Sequence, residues 1–549
     1  MSHNPAQPVF EQCLRTPDRL ALYADGVELT YAQLRSRAAR LAQALQARGM
    51  GRGSRIGILG SRSLTAMLAV LGAAWAGATY VPLGVRWPQP RLQSVLPRVA
   101  LDGLIADETG LALLTPSLLD AIPLLVVPSD AAWRGLPPAL QGKAISLEAL
   151  TEYDRNVAPT PLQAGDLAYI VFTSGTTGVP KGVMVPCAAL GAYLAALAAR
   201  KAMTPQDRAS QFTELTFDPS VGEIFVPWRA GASLHVVPPV SQVSPAKFIR
   251  ERSLTVWGST PALIAWMRAT RSLQPGSLPC LRYTSFGGEP LPLASVRAWQ
   301  AAAPNSVVDN LYGPTEATVD CAGQRLEPGA AAVATPERGI AAIGVPHPGT
   351  ELAVMSPDLR RVALGERGEL AIAGAQLSAG YLDAPELTAE RFRRVEGKRW
   401  YLTGDLALQD ASGMFHVLGR GDNQIKFLGH RVELEDIEAH VRAIARTDQV
   451  AALAWPVEDG VAQAIVCFVA GAALEPTAIR RALRDRVPAH MVPSTIHSAA
   501  SLPLTGSGKL DRHALAERLA VDAEGKRGDG AAVGKSGEAA AVENADVRC

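Results

Sequence analysis

Little in this chain could fasten a fold covalently. Its 549 residues carry six cysteines (Cys13, Cys187, Cys280, Cys321, Cys467 and Cys549) with no C-x-x-C pair, so neither a disulfide framework nor a zinc site is expected, and a cytoplasmic setting is the default. Charge of one sign is also missing. The net charge is +1, too even for a protein whose main partner is nucleic acid. No H-E-x-x-H and no G-x-S-x-G occurs, which removes the common signatures of zinc proteases and serine hydrolases. His490 and His497 accordingly read as structural or solvated. The start, Met1-Ser-His-Asn-Pro-Ala-Gln-Pro, has neither the charge nor the apolar run of a secretory signal. One uncharged stretch, Ser63 to Val85, is long enough to raise a membrane span. Its second half, Ala76-Gly-Ala-Thr-Tyr-Val-Pro82, reads as a turn and then a strand, so a buried helix–strand unit is expected instead.

What is present points to an α/β protein. The chain is 48% hydrophobic, and its length implies two or three domains. Leu29-Thr-Tyr-Ala-Gln-Leu34 opens a helix running to about Arg48, with Thr30 as N-cap. Gly49, Gly51 and Gly53 then turn the chain into a strand at Arg55–Leu59. Further βα units through Val99–Val127, Ser210–Val237, Leu254–Met267 and Leu281–Trp299 predict mostly parallel, doubly wound sheets. After about Pro346 shorter strands (Glu351–Met355, Gly368–Gly374) suggest a small β subdomain. Gly419-Arg-Gly-Asp-Asn423 interrupts the chain, and a new pattern follows with a helix at Glu433–Ala445 and a strand at Ala462–Val469. The expected division is a large domain over 1–421, a small mobile α+β domain over 422–520 hinged at Asp422, and a Gly-, Ala- and charge-rich disordered tail over 521–549.

The stretch with the most chemistry is Thr173-Ser-Gly-Thr-Thr-Gly-Val-Pro-Lys181-Gly182, after the apolar run Leu167 to Phe172. Hydroxyls alternate with glycines that let backbone N–H groups approach an anion, and Lys181 adds charge: a phosphate cradle by composition. It differs from the Walker loop because Gly182, not Ser or Thr, follows the lysine. A flexible surface linker is the competing reading.

Together with that loop, Leu29-Thr-Tyr-Ala-Gln-Leu34, Phe217-Asp-Pro-Ser220, Asn310-Leu-Tyr-Gly-Pro-Thr-Glu316, Tyr401-Leu-Thr-Gly-Asp-Leu406, Gly419-Arg-Gly-Asp-Asn-Gln-Ile-Lys426 and Gly506-Ser-Gly-Lys-Leu-Asp-Arg512 resemble, in order, the core motifs of adenylate-forming enzymes. The chain is most similar to the amino-acid adenylation domains of nonribosomal peptide synthetases, over about residues 10–515. The resemblance implies ATP and Mg²⁺ as cofactors. It places Thr173, Ser174, Gly175, Thr176, Thr177, Gly178 and Lys181 at the phosphates, and Gly287, Gly288, Glu289, Asn310, Tyr312, Gly313 and Thr315 around the nucleotide. Asp405 would take the ribose hydroxyls, with Arg420 close by, and Glu316 would bind the metal. Lys509 is implied as the catalytic lysine of adenylation. Lys426, on a different segment, would face the site in a second half-reaction after rotation about Asp422.

Asp218 narrows the expected substrate, since the resemblance pairs it with an α-ammonium. Asp218 before Pro219 is also a good N-cap, and both roles can coexist. Pro219, Gly222, Gly258, Thr284, Phe286, Leu311, Val319 and Asp320 are implied around the side-chain pocket, where Asp320 would receive a hydroxyl or cationic group or cap a local turn. The implied activity is formation of an aminoacyl-AMP, then transfer to a phosphopantetheine thiol. No cysteine here suits that attack and no carrier serine motif follows Arg512, so a separate carrier protein is expected, with a small activating protein as a further partner. Ser507, Leu510, Glu435-Asp436 and Gly84 depart from the usual motifs. An acyl- or aryl-CoA ligase and a catalytically silent nucleotide-binding protein are the alternatives. Against the first, Asp218 would be buried beside a simple acyl chain without a partner.

Overall fold

The computed structural model describes residues 2–120, 122–174, 180–421, 423–458, 461–503 and 510–532. A nine-stranded sheet has a parallel centre, in the order Val307–Tyr312, Tyr283–Phe286, Val256–Ser259, Arg208–Gln211, Ser233–Val236 and Leu20–Ala24. Ala322–Leu326 and Val27–Thr30 join it as antiparallel neighbours. An eight-stranded sheet contains Leu167–Thr173, Thr79–Leu83, Arg55–Leu59 and Gly103–Ala106 side by side. Helices between the parallel strands cover both faces, which is why strands such as Thr79–Leu83 are buried throughout. A five-stranded antiparallel sheet, including Thr350–Met355, Gly368–Gly374 and Lys398–Gln409, forms the small β subdomain.

Local chemistry sets the boundaries. The Thr30 hydroxyl accepts from the Gln33 N–H while the Gln33 side chain accepts from the Thr30 N–H, and this reciprocal cap starts the helix Tyr31–Gln46. Ser63 caps Leu64–Ala76, a nearly all-buried helix that stops at Gly77 with φ +81° and leads into Thr79–Leu83. The uncharged stretch is thus an interior helix–strand pair. Among the described residues no helix is long and apolar enough to cross a membrane.

Beyond residue 420 the chain makes the hairpin Gln424–Phe427/His430–Glu433, the helix Leu434–Ala445, and a sheet of Val450–Ala454, Ile465–Ala470 and Thr495–Ala499. Val432, Ile437, Val441, Val450, Cys467 and Ile496 belong to a buried cluster of their own, distinct from those of the first 420 residues. The proposed hinge, Asp422, lies outside the described residues. The helix Arg512–Ala532 runs through the first part of the expected disordered tail; with several Ala, Leu, Arg and Glu positions at its start, helix propensity there outweighs the later glycines.

Candidate active site

The C-terminal ends of four strands, Leu167–Thr173, Val256–Ser259, Tyr283–Phe286 and Val307–Tyr312, open onto one cavity of about 500 Å³, and the hairpin Gln424–Glu433 lies across it. Strand ends are where parallel sheets present loops and unpaired backbone to ligands.

At and just behind one wall of the cavity the buried acids are answered. Glu316, 1% exposed, receives both oxygens' worth of contact from Arg431 Nη1 (3.0 and 2.7 Å) and a hydrogen bond from the Tyr381 hydroxyl (2.7 Å). Burial pushes its carboxyl up, but Arg431 and Tyr381 outweigh that and hold it below the ordinary value. Asp405 accepts from the Tyr312 hydroxyl on one oxygen and from Arg420 on the other. Lys426 Nζ sits 5.1 Å from the centre of the Tyr312 ring, a cation–π distance. Lys181 pairs with Glu433 at 3.2 Å, and the Ser174 hydroxyl donates to the Arg431 carbonyl at 2.7 Å. Thr173 pairs with Lys181 in an antiparallel register. Gly175, Thr176, Thr177, Gly178 and Lys509 lie outside the described residues.

On the other side two acids each keep one oxygen unbonded. Asp218 is buried, its Oδ2 makes no hydrogen bond, and it does not cap the helix Pro219–Ala230 that it precedes. Burial, only partly offset by Thr315, pushes its carboxyl up to about 6. Asp320 is buried with its Oδ1 unbonded, and burial pushes it up to about 7. Pro219, Gly258, Leu311, Val319 and the backbone of Gly287, Gly288, Gly313 and Thr315 complete the lining. Gly313 has no room for a side chain: a Cβ there would stand 2.4 Å from the Val319 carbonyl oxygen. Thr318 and Val319 hold left-handed φ values of +56° and +73°, which is costly for β-branched residues. Gln376 holds them there, donating to the Asp320 carbonyl at 2.7 Å while its own carbonyl accepts from the Thr318 hydroxyl at 2.6 Å.

Four expectations need correction: Thr284, Asn310, Glu289 and Gly222. Phe286 lines the cavity, with its ring packed edge-on against Trp299 at 5.1 Å. Thr284 is fully buried away from the cavity, its hydroxyl tied to Ser306 and Trp299. Strand alternation puts Ser285 on the pocket side instead. Asn310 donates its amide to the Ala342 carbonyl at 2.9 Å and does not line the cavity. Glu289 spends its carboxylate on the backbone N–H groups of Gly429 and Ala262, fastening the hairpin and not a nucleotide. Gly222 acts indirectly, since a Cβ there would stand 2.3 Å from the Tyr193 hydroxyl, which occupies that space. Arg431, Glu433, Tyr381, Gln376 and Tyr193 escaped the sequence reading because their importance depends on partners up to hundreds of residues away.

Metal fit follows from the donor set. Among the described residues no three His, Cys, Asp or Glu side chains form a metal cage. One hard carboxylate, Glu316, suits an ion that completes its shell with phosphate oxygens and water, as Mg²⁺ does.

Residues 9–382 match the family described as AMP-binding enzyme. Tyrocidine synthase 3 of Brevibacillus parabrevis is 33% identical over 523 residues, which are 93% of this chain and 8% of that protein. The chain thus spans a small part of the curated relatives' length. The crystal structure of Vibrio cholerae adenylation domain AlmE in complex with glycyl-adenosine-5'-phosphate superposes with a TM-score of 0.83 at 30% identity, covering 95% of this chain and 98% of that one. The structure of holo-PA1221, an NRPS protein containing adenylation and PCP domains, gives a TM-score of 0.76 at 25% identity, covering 94% and 84%.

Proposed function

Because the chain belongs to the AMP-binding enzyme family and has the fold of an adenylation domain, we propose that it uses ATP to activate an amino acid as an aminoacyl-AMP and then passes the acyl group to a phosphopantetheine thiol on a separate carrier protein. Asp218 carries this reading. A buried carboxylate with an unbonded oxygen facing the cavity is expensive to keep unless a cationic group answers it, and an α-ammonium does so. The glycyl-adenylate bound to AlmE supports an amino acid as the acid, and the PCP domain that PA1221 contains supports a carrier as acceptor.

In this reading Asp218 orients the substrate so that its carboxylate oxygen attacks the α-phosphorus. The new O–P bond forms as the bond to pyrophosphate breaks, with Lys509 proposed to steady the charge that shifts between them. Thr173 to Lys181 would hold the departing phosphates, Tyr312 would stack on adenine, Asp405 would take the ribose hydroxyls, and Glu316 would hold Mg²⁺, which neutralises phosphate charge when bound. With the hairpin docked as described, Glu316 and Lys181 are engaged by Arg431 and Glu433. That arrangement suits the step after pyrophosphate has left, and rotation about Asp422 would exchange Lys426 for Lys509 at the site. The test is amino-acid-dependent exchange of labelled pyrophosphate into ATP. Exchange with amino acids is expected; turnover of aryl or fatty acids with coenzyme A, and of no amino acid, would overturn the reading in favour of a CoA ligase.

A further inference from the structure

The far end of the cavity carries chemistry that the α-ammonium site does not use. On the helix Cys187–Lys201, Tyr193, Leu197 and Lys201 stand four apart on one face, and all three line the cavity. Lys201 is only 6% exposed. Burial pulls its ammonium down, Glu223, Asp320 and Asp309 act on it through space, the Tyr283 ring centre lies 6.0 Å away, and among the described residues no hydrogen bond fixes it. Glu223 is otherwise occupied: its oxygens accept from the Phe212 and Thr213 N–H groups at 3.0 and 2.9 Å and from the Thr213 hydroxyl at 2.9 Å. Asp320 bonds the Tyr193 hydroxyl but leaves Oδ1 unbonded, with His347 Nδ1 at 3.4 Å. Burial keeps that histidine neutral. The Tyr193 hydroxyl also fills the space beside Gly222, which limits the room for a side chain.

We propose that Lys201 and Asp320 together select an amino acid whose short side chain ends in an uncharged group that both accepts and donates, a hydroxyl or a carboxamide. Such a group accepts from the ammonium and donates to the free carboxylate oxygen. A second anion on the substrate would meet Asp320 and Glu223, and a second cation would meet Lys201. An apolar side chain would leave both polar groups unanswered, the situation that sites built for hydrogen bonding reject most strongly. The inference rests on amino-acid activation as the function of the site.

The test is kcat/KM for pyrophosphate exchange by the wild-type enzyme with serine, threonine and asparagine, against glycine, alanine, 2-aminobutyrate, valine, aspartate and 2,3-diaminopropionate. A hydroxyl or amide substrate is expected to lead its apolar counterpart by ~10²-fold or more. In Lys201→Met and Asp320→Asn, checked for folding by thermal melting, that ratio should collapse towards one. Preference for glycine, an apolar, an acidic or a diamino substrate overturns this inference while leaving amino-acid activation standing. An unchanged ratio in both folded variants overturns the role of the pair. Exchange with no amino acid at all removes the underlying reading, and should a variant not fold, the wild-type ranking decides.

Discussion

Two sets of buried carboxylates, three of them in the wall of one cavity and Glu316 just behind the lining residue Thr315, are treated in opposite ways. Glu316 and Asp405 have their oxygens taken by Arg431, Tyr381, Tyr312 and Arg420. Asp218 and Asp320 each keep an oxygen that bonds nothing. The first pair is fixed in place by those bonds but must be released before it can serve a ligand. The second pair is held in a high-energy state that only an incoming group relieves. The protein sets guanidinium groups against the first pair and leaves one oxygen of each member of the second pair open.

Breaking that contrast at Asp218 should have the largest effect. Asp218→Asn is expected to lower amino-acid-dependent pyrophosphate exchange by ~10²–10³, the loss typical of removing one member of a desolvated charge pair. The same substitution should stabilise the empty protein near neutral pH. Burial pushes the folded carboxyl up to about 6 from the ordinary 3.8, so the folded state binds the extra proton and loses stability as pH rises from about 4 to about 6, on the order of 3 kcal/mol. Thermal melts of both proteins at pH 7.5 and 4 check this: the variant's advantage should appear at the higher pH and vanish at the lower.

Converting an answered acid to an unanswered one sharpens the comparison from the other side. Arg431→Gln leaves Glu316 with Tyr381 and only the through-space charge of Lys181, which should weaken hairpin docking by about 3 kcal/mol. Faster proteolysis between residues 415 and 435, with exchange activity less affected than thioester formation, is the expected result. Gly222→Ala should cost about 1–3 kcal/mol by driving a methyl group into the Tyr193 hydroxyl, and a drop in thermal stability with altered substrate ranking would show it. The mildest effect is that of acid on the wild type. Below about pH 6, kcat/KM for the amino acid should fall tenfold per unit as free Asp218 protonates, and this limb should be absent from Asp218→Asn.

Most of the architecture was legible because it is local. The capped start at Thr30, the strand Arg55–Leu59 and the helix–strand pair within Ser63–Val85 follow from a hydroxyl, a run of alternating glycines and an uncharged apolar stretch. The pocket was legible only in part. Thr284 was expected one position out of phase, and in a strand one position reverses the face, so Ser285 took the place at the wall. Asn310 and Glu289 carry donor and acceptor groups suited to ATP, yet those groups are used by Ala342, Ala262 and Gly429. A sequence displays what a side chain can bond, and only the fold says whether a backbone group reaches it first. The same reason hid Arg431, whose role depends on a carboxylate 115 residues earlier.

The amide of Gln376 grips the left-handed turn at Thr318–Val319 from a loop that follows the strand Gly368–Gly374. The shape of the chamber around Asp218 and Asp320 therefore depends on a residue that lies beyond the stretch, 193 to 320, that supplies most of its walls. A transplant of that stretch into another scaffold would carry the lining without its clamp, and the borrowed chamber would keep its selectivity only where the recipient offers a carboxamide at the equivalent place.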